Sequence, residues 1–248
     1  EEAVAQSEVG PFALEGVIGD ERSGRVVVPF HNAVVTDGAA RFQKLIGDDE
    51  VIVPHFQPIV RADDGTVIAY EMLARSRLFG LAQPNAMFRT AAHLGLEAEL
   101  SRCLREDGFR KGTRFDSNTS LFLNTHPREL EDMSVLLGSL ATLREIDADQ
   151  QVTIEIHESA AADTATMQCI KRALTDMNME LAYDDFGAGQ SRLAELANVP
   201  PAYLKFDMTL VRGIHRAPSQ KHEMLAALVL KARELGAVPL AEGLECEE

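Results

Sequence analysis

The stretch Gln151-Val152-Thr153-Ile154-Glu155-Ile156-His157 decides the fold. Read with the two-residue period of a β-strand, it places Val152, Ile154 and Ile156 on one face and Thr153, Glu155 and His157 on the other. One side is apolar and the other acidic, as expected of a strand with a helix on its outer face and a barrel interior opening to a site on its inner face. Six further β-prone runs lie around it: VIVPHFQPIV from Val51, TVIAYEMLA from Thr66, SLFLN from Ser120, ELAYDD from Glu180, AYLKF from Ala202 and AVPLAE from Ala237. Longer segments with helical spacing separate them, the pattern of parallel βαβ units. After Asp163, a plausible N-cap, Met167, Ile170, Leu174 and Met177 recur at helical steps; after Ser219, Leu225, Leu228, Ala232 and Leu235 do the same and stop at Gly236. The expected class is α/β, a TIM-like (βα) barrel rather than an open doubly wound sheet, because the acidic residues cluster at the carboxyl ends of the strands.

The chain has 248 residues, 39 acidic against 24 basic, a formal net charge of −15 and a pI near 4.9. That balance lacks the basic footprint of a nucleic-acid polymer binder. The longest apolar run, Leu225 to Leu230, is far shorter than the ~18 residues of a membrane span. No membrane contact and a cytoplasmic location are therefore expected for this part of the protein. Cys103, Cys169 and Cys246 are odd in number and far apart, which suggests free, mostly buried thiols rather than a disulfide framework or zinc knuckle.

Glu71, Asn124, Glu155, Asp184, Asp185 and Glu242 all fall at strand ends and offer hard oxygen ligands, a set suited to Mg²⁺ or Mn²⁺. Adjacent carboxylates such as Asp184 and Asp185 repel each other unless a cation lies between them, so a two-metal arrangement for displacement at phosphorus is reasonable. Lys205 would add a fixed positive charge. Other motifs fail. Asp185-Phe186-Gly187 spells the kinase D-F-G without the other kinase signatures, and His157-Glu158 begins H-E but alanine stands at position 161 where a zincin needs histidine.

Seven ordered motifs then point to a family: FQPIV (Phe56 to Val60), YEMLAR (Tyr70 to Arg75), FLN (Phe122 to Asn124), IEIHES (Ile154 to Ser159), DDFGAG (Asp184 to Gly189), LKFD (Leu204 to Asp207) and AEGLE (Ala241 to Glu245). Together they resemble the signature of EAL domains, bacterial phosphodiesterases that hydrolyse cyclic di-GMP. The resemblance implies a (βα)8 barrel of EAL type, hydrolysis to linear 5′-pGpG with Mg²⁺ or Mn²⁺, and a homodimer. It implies that Glu71, Asn124, Glu155, Asp184 and Asp185 are metal ligands. Lys205 would hold the attacking water and phosphate, Glu242 would act as general base or second-metal support, and Glu158 would anchor the loop after the Asp184-Asp185 strand. Gln57, Leu73, Arg75 and Asp207 would contact substrate, Asp207 matching the acid of the family's K-x-D motif.

The sequence departs from that pattern. Met72 replaces the usual alanine of the name-giving tripeptide, His157 a usual threonine beside the metals, and Ala188 a usual threonine in the loop that Glu158 would steady. These changes keep a second reading open, a catalytically weak or silent cyclic di-GMP receptor. The family continues with a further helix and an eighth strand that the chain, ending at Glu248, does not include, so residues 36–248 are expected to be a C-terminally incomplete EAL domain. Residues 1–35 are expected to be an appendage or the tail of an upstream domain, with FALEGVI and RVVVPF as a β-hairpin; GAARFQKLIG then forms a short helix into the first strand.

Overall fold

The computed structural model describes residues 30–48, 50–160, 163–188 and 193–244. Strands β1 (His55–Val60), β2 (Val67–Leu73), β3 (Ser120–Thr125), β4 (Val152–His157), β5 (Met179–Phe186), β6 (Tyr203–Phe206) and β7 (Val238–Ala241) form one sheet in chain order. With helices packed outside, it makes the half-barrel of a TIM-like α/β fold. All pairs from β2 onward are parallel, but β1 and β2 are antiparallel. The exception to the expected parallel pattern has a local cause. The link from Arg61 to Thr66 is too short for a crossover. It closes as a turn, with Arg61 N–H donating to Thr66 O at 2.9 Å and Gly65 at φ +71°. The reversal brings the start of β1 to the carboxyl end of β2, with His55 opposite Leu73 and Gln57 opposite Glu71.

The alternation in β4 holds. Val152, Ile154 and Ile156 join Leu121, Leu123, Leu181 and Leu204 in the main core against the helices. Each such side chain removed from water contributes about 2 kcal/mol. The opposite face carries a small inner core of Ala69, Phe122 and Ala182, with Tyr203 and Leu240 packed on it. One step further along the strands, that inner face becomes polar.

Helices α1 (Phe30–Gly47), α2 (Pro84–Leu94) and α3 (Glu97–Gly112) form a flank with its own core, including Phe42, Leu45, Met87, Leu100 and Leu104. Helices α4 (Met133–Ile146), α5 (Thr164–Asp176), α6 (Leu193–Asn198), α7 (Met208–Val211) and α8 (Ser219–Glu234) complete the crossovers. Gly108 lets α3 lie close to β2, since a Cβ there would stand 2.7 Å from the Met72 side chain. The predicted N-cap of α5 is present: Asp163 accepts from the N–H groups of Ala165 and Thr166 at 2.9 and 3.1 Å. Helix α8 is capped by extended Pro218 without a side-chain bond, and of its apolar stripe only Ala232 is fully buried.

Helix α1 is longer than the predicted short helix and crosses position 35, where the sequence reading ends the appendage. The expected hairpin lies in residues 1–29, outside the described residues apart from Phe30, which is helical. The expectation of mostly buried thiols needs correction. Cys169 is exposed and Cys103 half-buried, because α5 turns Met167, Ile170 and Leu174 inward and leaves Cys169 on its outer side; Cys246 is outside the described residues. Among the described residues, no helix is long and apolar enough to cross a membrane.

Candidate functional site

The polar layer at the carboxyl ends of the strands is organised around Lys205. Its position on β6, two residues beyond Tyr203 of the inner core, directs it inward by strand parity. Lys205 Nζ lies 2.6 Å from Glu155 Oε1, 2.8 Å from Glu242 Oε1, 2.9 Å from Asp184 Oδ1 and 3.4 Å from Glu71 Oε2. Four segments separated in sequence thus place carboxylates around one ammonium. Burial, the largest influence on Lys205, disfavours its charge, but Glu155, Asp184, Glu71 and Glu242 together outweigh it and hold the pKa well above the usual lysine range.

One ammonium does not balance the negative charge. Glu155 is 1% exposed; its Oε1 faces Lys205 Nζ at 2.6 Å, while its buried Oε2 has no hydrogen-bond partner. Burial first, and then Glu71 and Asp184, push its carboxyl well above the ordinary value, against the pull of Lys205. Glu242 is pushed up to about 7, by burial and then by Asp184 and Glu71, with Lys205 opposing. A buried carboxylate with one unmet oxygen among other carboxylates is a place where a cation fits.

Neighbouring residues in a regular strand face opposite ways, so Asp184 and Asp185 need a break in the strand to share one site. The β5–β6 register shifts between Tyr183 and Phe186, and Asp185 takes a left-handed φ of +56°, a conformation aspartate tolerates better than most residues. As a result, ligand oxygens of Asp184, Asp185 and Glu242 lie within 4.8 Å of one another. Asp185 Oδ2 is 3.0 Å from His157 Nε2. Burial first and Asp184 second raise the Asp185 carboxyl pKa, with His157 opposing.

Glu158, the next residue after β4, is buried, and its Oε2 accepts the Gly187 N–H at 3.0 Å, tying down the turn that follows Asp185. Gly187 has φ +94°, and a Cβ there would come 2.3 Å from Leu210 Cδ1, so glycine is needed twice over. Asp207 caps α7, with Oδ1 accepting from Thr209 N–H at 2.8 Å, and hydrogen bonding to Thr209 is the main reason its pKa is lowered.

The remaining predicted positions surround this layer. Asn124 is in register with Glu155 and exposed. Gln57 is exposed opposite Glu71, and Leu73 is half-buried at the end of β2. Arg75 follows, half-buried, with Nη1 donating to Ala74 O at 2.7 Å and its carbonyl accepting from Val53 N–H at 2.8 Å.

Residues 39–248 match the EAL domain. The chain belongs to the EAL domain family. The cyclic di-GMP phosphodiesterase PdeR of Escherichia coli (strain K12) is 27% identical to this EAL chain over 210 residues, covering 82% of the chain and 31% of PdeR. The PaMucR phosphodiesterase in complex with c-di-GMP matches with a TM-score of 0.72 at 22% identity, over 85% of this chain and 88% of that one. A manganese/cy-diGMP complex of Klebsiella pneumoniae BlrP1 matches with a TM-score of 0.65 at 24% identity, over 88% and 61%. The two structural likenesses concern the fold. The chain spans roughly a third to a half of the length of the curated relatives it matches first.

Sequence reasoning missed a buried support behind the EAL site. Arg105 of α3, 0% exposed, donates to Glu129 Oε1 and Oε2 at 2.8 and 2.5 Å and to Ser139 Oγ at 2.6 Å. Glu129 Oε1 accepts the His126 N–H at 3.2 Å, which fixes the chain just after Asn124 and β3. The available signal was a charged residue at position 105 beside Leu100 and Leu104 on the buried side of α3.

Proposed function

We propose that this chain is a metal-dependent phosphodiesterase that hydrolyses cyclic di-GMP to linear 5′-pGpG using Mg²⁺ or Mn²⁺. The observation that carries the reading is Lys205 Nζ within 3.4 Å of Glu71, Glu155, Asp184 and Glu242 at one end of the barrel. EAL family membership and the activity named for PdeR support it.

Glu71, Asn124, Glu155, Asp184 and Asp185 are the proposed metal ligands, and the buried Glu155 Oε2, without a hydrogen-bond partner, supports that assignment. Bound divalent cations would acidify a water and polarise the scissile phosphodiester. Lys205, kept charged by its carboxylates, places a positive charge beside the phosphate and the water. Glu242, with Oε1 2.8 Å from Lys205 Nζ, is the proposed group that accepts the proton that water loses or supports the second metal. Arg75 is the proposed phosphate contact, its guanidinium matching two phosphate oxygens, with Gln57 and Leu73 lining the approach on β1 and β2. Glu158 acts through Gly187 as a positioning residue for the turn after Asp185. Asp207 has the same kind of duty at the start of α7.

The test is incubation of the protein with cyclic di-GMP and Mg²⁺ or Mn²⁺, with nucleotides separated by chromatography and an Asp184→Ala control. Appearance of pGpG, lost in the variant and with chelator, is the expected result. Intact cyclic dinucleotide retained by the protein would replace this reading with a receptor that binds without cleaving.

A further inference from the structure

We propose that Arg105 and Glu129 are positioning residues for Asn124: they take the place of a neighbouring strand where β2 has ended, and so hold the Asn124 side chain on the Glu155 side for a bound cation. The inference rests on the proposed reading of Asn124 as a metal ligand.

The backbone of β3 sets the requirement. In an extended strand the N–H and C=O of one residue point to the same side, and those of the next residue to the other. Leu121 N–H donates at 2.9 Å to the carbonyl of Gln151, just before β4, so odd-numbered residues of β3 bond toward β4 and even-numbered ones toward β2. Pairing with β2 stops at Glu71 opposite Phe122, whereas pairing with β4 runs on to Thr125 opposite Ile156. Asn124 C=O and His126 N–H therefore face the β2 side beyond the last β2 partner.

Side chains bond there instead. Arg105 Nη1 is 3.5 Å from Asn124 O, and the His126 N–H is accepted by Glu129 Oε1 at 3.2 Å and by Ser101 Oγ at 3.1 Å. Arg105 and Glu129 are locked to each other through both arms, and Arg105 Nη2 also donates to Ser139 Oγ of α4 at 2.6 Å. The end of β3 is thus tied to α3, α4 and the 3-10 turn Pro127–Glu131. By strand parity Asn124 shares the inner face with Phe122, in register with Glu155. A ligand on a strand end fixed in advance does not have to be ordered when the ion binds.

Stability alone accounts poorly for an ion pair at this place. Burying two charges costs about what their attraction returns, and an apolar pair of similar volume often packs as well or better. What an apolar pair lacks is a donor and an acceptor for the backbone on either side of Thr125.

The experiment is isothermal titration calorimetry of the whole chain with Mn²⁺ in a double-mutant cycle: wild type, Asn124→Ala, the paired replacement Arg105→Met with Glu129→Leu, and all of these changes together. Urea unfolding in chelator establishes that each protein is folded. Arg105→Lys, which keeps the charge but loses the planar fork, carries the same cycle in a gentler background. Asn124→Ala and the paired replacement should each weaken Mn²⁺ binding about tenfold. Together they should lose no more than about twofold beyond either alone, because both routes remove the same ligand. Wild-type Mn²⁺ affinity in the folded paired variant overturns the positioning role and leaves the metal reading standing. Losses that add to about a hundredfold overturn it as well, since the pair would then act by a route other than Asn124. Unchanged affinity in Asn124→Ala overturns the inference together with that ligand assignment. No saturable Mn²⁺ binding by wild type overturns both the inference and the metal reading.

Discussion

Glu155 and Lys205 meet at 2.6 Å inside the barrel, with side chains 0% and 3% exposed. The pair does not neutralise its surroundings, since Glu71, Asp184 and Glu242 also face the same ammonium. An arrangement with this surplus of negative charge is costly without a cation and strongly stabilised by one. The site's chemistry and its stability are therefore linked.

Removing the ammonium exposes that cost. Lys205→Met is expected to lower stability in chelator at pH 7 by about 3 kcal/mol, because the carboxylates lose their shared counter-charge. Saturating Mn²⁺ should restore part of the loss, while turnover stays at least about a hundredfold down. Urea unfolding with and without metal reads both effects.

Glu242 gives the metal-free protein a defined pH dependence. Its folded pKa, pushed up to about 7, lies above the ordinary 4.5, so its contribution to stability is complete below about pH 4.5 and is lost as pH rises through about 7. In chelator, stability should fall by about 2 kcal/mol from this group between pH 5 and 8, and Glu242→Gln should flatten that part of the curve. Thermal unfolding across the range checks the sign.

The Glu158 to Gly187 hydrogen bond holds the turn after Asp185 in place. Glu158→Ala leaves the half-buried Gly187 N–H without its acceptor and is expected to cost about 1 to 3 kcal/mol. Amide exchange at Phe186–Ala188 should quicken, and kcat should fall more than KM rises. Glu158→Gln, which keeps an acceptor oxygen, should recover most of the protection.

Arg105 and Glu129 form a buried two-pronged ion pair behind β3. Arg105→Met leaves Glu129 charged and buried, so unfolding should be easier by about 3 to 5 kcal/mol. The paired replacement Arg105→Met with Glu129→Leu should be milder than the single change, a non-additivity that a double-mutant cycle measures directly.

Much of this was legible in the sequence because it followed local periods. The alternation of Val152 to His157 identified an inner and an outer face, and the strand ends collected Glu71, Glu155, Asp184, Lys205 and Glu242 in one layer. What was not legible depended on geometry across elements. The antiparallel β1 followed from a short turn that a search for βαβ units passes over. The bulge that brings Asp185 beside Asp184 is a departure from strand periodicity, and only the neighbouring strand's register reveals it. Arg105 and Glu129 lie 24 residues apart in sequence, and no local pattern couples them. Helix α1 begins at Phe30, ahead of the GAARFQKLIG stretch from Gly38 to Gly47 whose spacing reads as a helix.

The most direct measurement of the central claim is hydrolysis of cyclic di-GMP by the Mn²⁺-loaded protein in ¹⁸O-water, read by mass spectrometry of the nucleotides. The account predicts pGpG carrying a single ¹⁸O on its 5′-phosphate from wild type and none above background from Asp184→Ala. Cyclic di-GMP recovered unchanged from wild type would contradict it.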